Sequence, residues 1–171
     1  LGKDSNLENF QSSRYTEEGD FVNQPYFLNA CTKTEKGVKI ILDRDVGVFR
    51  QGQHKDIKIR KTFLVDKENA RISANYQISN MGKETKDLWF GVEFNFTLLA
   101  GDNPQRYYFI PDSESHKNKL NSAGESKLVT AFGMADDWNK IRLILTFEKP
   151  ITIWRFPIET VSQSEDGFEK N

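Results

Sequence analysis

Hydrophobic and polar residues alternate most regularly between Leu88 and Leu99. Because successive side chains of a β-strand point to opposite faces, this alternation predicts a strand with two different faces. The apolar face carries Phe90, Val92, Phe94, Phe96 and Leu98, and the opposite face carries Glu93, Asn95 and Thr97. We therefore expect a sheet that is packed on one side and presents a polar surface on the other.

Similar patterns predict further short strands along the chain, and none of them is sustained as a helical period for three turns. Alternation is clearest over 56–65 and 71–79. We expect the strand at 71–79 to pair as an antiparallel neighbour of the strand at 88–99. The remaining candidates are 26–31, 38–42, 106–110, 128–132, 141–147 and 151–156. Turn residues separate them, with Lys149-Pro150 dividing the last two. Many short strands with frequent turns predict an all-β fold, an antiparallel two-sheet sandwich or a barrel.

Length and charge narrow the class of protein. The chain has 171 residues and a net charge of -1, which predicts a single domain over 1–171 and argues against a nucleic-acid partner. A polar stretch at 1–23 is expected to be an entry segment along the domain edge. No apolar run approaches the roughly 18–20 residues that cross a bilayer, so we expect no membrane contact. The single cysteine favours a cytoplasmic location, and the first residue, Leu1, suggests a fragment of a larger protein.

The sequence offers little support for catalysis or metal binding. His54 and His116 both lie in charged, turn-like surroundings, where a solvated side chain is the favoured interpretation. No pair of histidines or cysteines has the spacing of a metal site, and Asp136-Asp137 fits turn and capping roles better than calcium binding. We therefore predict no catalytic residue, no metal and no cofactor in this chain.

Polar and aromatic residues do suggest a carbohydrate-binding surface. Glu93 and Asn95 share the polar face of the predicted strand, and Arg106 and Tyr107 arrive on the next one. Among the three tryptophans, Trp138 lies in a polar stretch between two strands and is our candidate for an exposed platform that stacks on sugar rings. The alternative is that Glu93 merely keeps a sheet face soluble and that the tryptophans are buried.

A specific motif closes the chain. The run Pro157-Ile158-Glu159-Thr160-Val161-Ser162-Gln163-Ser164-Glu165, within 154–169, resembles the closing motif of the C-terminal domain of family 57 α-amylases and 4-α-glucanotransferases. The likeness extends to 90–95, 98–101 and 18–22, and so covers nearly the whole chain. It implies a galactose-mutarotase-like supersandwich whose catalytic carboxylates lie on a barrel elsewhere in the same polypeptide. In that family the motif continues into a further strand, so we expect the C-terminal strand to be truncated here.

The resemblance implies a non-catalytic domain that supports the barrel of an enzyme acting on starch or maltodextrin and contacts an α-glucan. By itself the chain is then not an enzyme, although its parent is a glycoside hydrolase or glucanotransferase. A stand-alone sugar epimerase or mutarotase on the same fold is one alternative, and it requires a general base and acid in one pocket. A purely structural or dimerising domain is another.

Overall fold

The described part of the chain is almost entirely β-structure. The computed structural model describes residues 1–3, 5–50, 53–85, 87–98, 100–111, 117–158, 161–164 and 167–170. Within these ranges it has two four-stranded antiparallel sheets, a two-stranded ribbon and a single helix of five residues. The prediction of an all-β fold with antiparallel sheets, as in a sandwich, is confirmed.

The chain divides into two compact units, which are described separately. The first unit comprises Leu1–Ser5 and Arg14–Val92, and the second comprises Asn6–Ser13 and Glu93–Asn171. The strands of the first unit form one antiparallel sheet in sequence order. They are β1 (Phe27–Thr34), β2 (Gly37–Arg50), β3 (Gln53–Asp66) and β4 (Ile72–Asn80).

The two central strands of this sheet are longer than their neighbours. β2 and β3 pair from Gly37↔Asp66 to Arg50↔Gln53, whereas β1 follows β2 only as far as Asp43. β4 follows β3 only to the pair Ile57↔Asn80. Beyond these points, in the described residues, β2 and β3 pair only with each other and form a two-stranded hairpin end.

Ile57 and Ile59 form the core of the first unit. Each is 1% exposed, and Phe21 and Tyr26 pack against them. They are the first two residues of the apolar row predicted for 56–65. Lys61 interrupts that row as expected, and its amine lies 3.7 Å from the centre of the Tyr26 ring, a cation–π contact that accommodates the charge.

The second unit contains a sheet in the order β6-β5-β7-β8 and a separate ribbon. Its elements are α1 (Leu7–Gln11), β5 (Arg106–Phe109), β6 (Asn118–Lys119), β7 (Gly124–Asp136), β8 (Ile141–Arg155), β9 (Val161–Ser164) and β10 (Gly167–Lys170). Its buried core consists of Tyr108, Leu120, Phe132 and Met134, with Leu98, Ile110, Phe147 and Ile153 packed around it. The core thus joins one face of β5, with Tyr108, and one face of β7, with Phe132 and Met134, to the loop residue Leu120.

The predicted strand at 88–99 is wrong for the residues described. Residues 88–98 belong to no sheet, and Trp89, Phe90 and Phe94 are exposed. Alternation specifies two faces, but a strand also needs a partner along its edge. Here no described strand is paired with the segment, because the chain passes from the first unit to the second within it. Leu99 lies outside the described residues.

The predicted break at Lys149-Pro150 is also wrong, because β8 runs through it. The register with β7 is irregular there: Ala131 pairs with Thr146, and Val129 pairs with Ile151. Proline has no N–H to donate to a ladder and is tolerated in strands at such bulges. The extra residues of β8 therefore accommodate Pro150 without ending the strand.

The polar entry segment contains the only helix of the described residues. Asn6 caps α1, with its side-chain oxygen accepting from the Asn9 N–H at 2.9 Å. Phe10 packs near Trp154 and Phe156, with ring centres 5.7 and 5.8 Å apart. Phe10 thus anchors the helix to two aromatic rings of the second unit.

We expect Ile59→Ala to lower the free energy of unfolding by about 2–5 kcal/mol, because a cavity replaces a buried side chain. The matched control is Ile72→Ala on β4, where the side chain is 68% exposed and a change within about 0.5 kcal/mol is expected. Urea titrations followed by circular dichroism measure both. Equal losses in the two variants would contradict this assignment of the core.

Candidate carbohydrate-contacting surface

Antiparallel pairing of β5 with β7 positions two of the predicted site residues. Arg106 lies opposite Asp136, and Tyr107 lies opposite Ala135. The Arg106 Nε donates to Asp136 Oδ2 at 2.8 Å, and both side chains are largely buried. Arg106 is therefore committed to an internal ion pair, so its guanidinium holds the sheet together at this end.

Asp136 accepts hydrogen bonds from both neighbouring elements at this end of the sheet. It is only 2% exposed and closes β7, directly before the turn of residues 137–140. Its Oδ1 accepts from the Asn139 N–H at 3.0 Å, and its Oδ2 accepts from the Asn139 side-chain amide at 2.8 Å. The carboxylate thus fixes the turn from inside, which confirms the turn and capping role predicted for Asp136.

These hydrogen bonds also govern the ionisation of Asp136. The backbone N–H of Asn139 lowers the pKa of the carboxyl most strongly, burial opposes it, and the amide of Asn139 and the guanidinium of Arg106 lower it further. The net pKa is below the ordinary value. The charged form is therefore the one that the fold stabilises.

Tyr107 supports the turn from the adjacent strand. Its hydroxyl donates to the Asp137 carboxylate, 3.2 Å from Oδ2, while the ring is buried and the Lys117 amine lies 4.4 Å from its centre. The Asp137 N–H in turn donates to the Gln105 carbonyl at 2.9 Å. Tyr107 therefore acts as a positioning residue for Asp137.

Trp138 projects from this fixed turn. Its side chain is 73% exposed, more than that of Trp89 at 40%, and Trp154 is half-buried. The Trp138 surface comprises the exposed indole and its chain neighbours Asp137 and Asn139. An exposed apolar ring face is the feature that stacks on a sugar ring.

The structure thus brings together three of the five predicted site residues. Glu93 and Asn95 lie in the exposed segment 88–98, and neither makes a hydrogen bond or ion pair with the rest of the described chain. Sequence reasoning did not include Asp137 and Asn139 in the site. The Asp-Asp-Trp-Asn run was the available signal, because aspartate and asparagine side chains hydrogen-bond nearby backbone in turns.

The structure describes the side chain of neither histidine. The backbone of His54 lies in β3, where the sequence suggested a turn, and His116 lies outside the described residues. In the described part of the chain, no three His, Cys, Asp or Glu side chains are grouped so that they could hold a metal ion. No helix in these described residues has the length and apolar character to cross a membrane.

Comparison with known proteins identifies the family. The family model described as alpha-amylase/4-alpha-glucanotransferase, C-terminal, matches residues 1–171. The chain belongs to this family. The resemblance inferred from the closing motif is confirmed, and the chain is a C-terminal domain of the alpha-amylase/4-alpha-glucanotransferase type.

Individual relatives agree with this assignment. Alpha-amylase 1 of Dictyoglomus thermophilum is 29% identical over 164 residues, which is 93% of this chain and 21% of the relative. The 4-alpha-glucanotransferase of Thermococcus litoralis is 31% identical over 95% of this chain and 20% of its own length. The C-terminal domain therefore spans about a fifth of the curated relatives it matches. No solved structure matches it significantly.

We expect Asp136→Asn to destabilise this C-terminal domain at neutral pH, because the amide cannot form the charged pair with Arg106. The folded pKa of Asp136 lies below its unfolded value, so its stabilisation is complete above the unfolded pKa and is lost as the pH falls through the folded one. The difference in stability between wild type and variant should therefore shrink as the pH falls below about 4.

Thermal unfolding of both proteins across pH 2–7 measures this difference. Asp102→Asn is a suitable control, because its carboxyl is an exposed group outside the cluster. A constant difference between wild type and Asp136→Asn over the whole range would contradict the assigned role of the carboxylate.

Proposed function

We propose that this chain is the non-catalytic C-terminal domain of an α-amylase or 4-α-glucanotransferase that acts on starch or maltodextrin. In this proposal it supports a catalytic barrel on the same polypeptide and contacts the α-glucan at the Trp138 surface. The family match over residues 1–171 carries the proposal. The relatives that bear the names of both enzymes are about five times as long as the matched region, so their other four-fifths have room for the barrel.

The glucan contact is supported by the rigidity of the Trp138 surface. The turn is fixed from within by Asp136 and from the side by Tyr107 and Gln105, so its backbone needs no further ordering when a ligand binds. Asp137 and Asn139 flank Trp138 in the chain. A single tryptophan platform of this kind favours weak binding of a chain of sugar units over tight recognition of one sugar.

Further predictions about domain organisation, carbohydrate contacts, location and partners belong to the proposal. Residues 1–171 are treated as one domain, and Glu93 and Asn95 stay candidates for a second polar contact with carbohydrate. A cytoplasmic location of the parent enzyme rests on the single cysteine, which suits a reducing compartment. Nucleic acid and membrane are not among the proposed partners.

Binding of maltoheptaose to the 171-residue chain tests the glucan contact. We expect saturable, weak binding, seen as quenching or enhancement of tryptophan fluorescence and as amide shifts for residues 137–140. Trp138→Ala should weaken it by about tenfold, because aromatic stacking contributes about 0.5–1.5 kcal/mol in addition to the buried area, and about 1.4 kcal/mol is a factor of ten.

Leu128→Ala is the control, since it removes an apolar side chain that is 81% exposed on β7, outside the turn of residues 137–140, and should leave the affinity unchanged. Equal affinities of wild type and Trp138→Ala would contradict the platform. Absence of binding by the wild type would leave the purely structural role. Mutarotation of glucose or galactose by the isolated chain would favour the epimerase alternative instead.

A further inference from the structure

Arg155 lies at a small cavity in the second unit, away from the Trp138 surface. It is the last residue of β8 and pairs with Gly124 at the start of β7. Its guanidinium lies against that glycine. The cavity has a volume of about 20 Å³, and its lining includes the polar side chains of Asn118 and Ser126 and the ring of Tyr108.

The guanidinium of Arg155 is not compensated by the described protein. Its Nε is buried and has no hydrogen-bond acceptor, and none of the ion pairs in the described residues includes it. The adjacent carboxylate, Glu125, accepts from the Trp154 indole at 2.8 Å and pairs with Lys127 at 3.0 Å. Because alternate residues of a strand point to opposite faces, Glu125 is directed away from Gly124 and Ser126.

An arrangement of this kind is energetically unfavourable without a further group. Arginine has five N–H donors and no acceptor. The Arg155 side chain as a whole is half-buried, but its buried Nε–H donor loses its hydration without gaining an acceptor in the described protein. Burial lowers the pKa of Arg155 below its usual range, which reports the same loss. The face of the Tyr108 ring, 5.6 Å away, offsets only part of it, because a ring cannot accept the in-plane Nε–H bond.

We propose that this cavity binds one small monovalent anion, of the size of chloride or a single carboxylate group, on the Arg155 guanidinium. The Asn118 amide and the Ser126 hydroxyl are in the lining and supply additional donors. The volume admits a group little larger than one water molecule, which excludes phosphate and sulfate. A water could accept the Nε–H bond, but only an anion would also neutralise the charge, and this favours the anion.

The Nε–H resonance of Arg155 in proton–nitrogen correlation spectra of the full 171-residue chain is a direct reporter. We expect it to shift saturably as chloride or formate replaces methanesulfonate at constant ionic strength, with half-saturation at millimolar concentration. Methanesulfonate has no carboxylate and a head group too large for the cavity, so it serves as the reference anion. Disappearance of the resonance in Arg155→Lys assigns it.

Gly124→Ala tests the site without removing the charge. An added methyl group would lie 2.5 Å from both terminal nitrogens of Arg155, so the guanidinium must leave its place. Gly91→Ala is the matched control, because a methyl group there meets nothing within 4 Å. We expect Gly124→Ala to abolish the chloride-dependent shift and Gly91→Ala to retain it.

Chloride should also raise the midpoint of thermal unfolding of wild type and Gly91→Ala relative to methanesulfonate, and leave that of Gly124→Ala unchanged. Identical spectra in chloride and methanesulfonate would overturn the proposal and leave a water as the occupant. A full shift in Gly124→Ala would overturn it too, because the anion would then bind elsewhere. A folded Gly124→Ala is recognised by unchanged amide resonances of residues 137–140, which lie away from the cavity.

Discussion

The buried carboxylate of Asp136 is the interaction on which the described end of the second unit depends. It joins β5, 30 residues earlier in the chain, to the end of β7 through Arg106, and it joins β7 to the turn that follows through Asn139. Burying a charge is costly unless it is paired and hydrogen-bonded, and here both oxygens are satisfied. Removing one partner leaves an uncompensated charge, so these contacts form a unit. The exposed tryptophan of the turn is a consequence of that internal arrangement.

The alternation of apolar and polar residues predicted the fold correctly where the segment pairs with a neighbouring strand. Ile57 and Ile59 were predicted to share an apolar row and are the most buried pair of the first unit. The same reasoning was wrong for residues 88–98, because periodicity describes the faces of one strand and contains no information on what lies along its edges. The prediction that Lys149-Pro150 separates two strands was wrong for a related reason, because the bulge that accommodates Pro150 depends on the register with β7.

The candidate surface was predicted in part for similar reasons. Trp138 stood out because polar neighbours between two strands indicate an exposed turn, and it is exposed. Arg106 and Tyr107 were grouped with Glu93 and Asn95 from the sequence, whereas the structure pairs them with Asp136 and Asp137. Their roles are internal, since an Arg or Tyr on a strand can equally face a ligand or an aspartate of the same sheet. That choice is decided by the β5–β7 register, which pairs Arg106 with Asp136 and which no local pattern specifies.

The unequal strand lengths of the first unit bear on how this family can vary. Past Asp43 on one side and Asn80 on the other, the described β2–β3 hairpin has no lateral neighbours. Adding or deleting one residue on each strand there keeps every cross-strand partner of Ile57 and Ile59, so the packing of the core does not change. An unmatched single residue in that end would instead shift its register by one and exchange its two faces, while the pairing of β3 with β4 holds both isoleucines in place. Relatives should accordingly differ in the length of this hairpin by equal numbers of residues on its two strands.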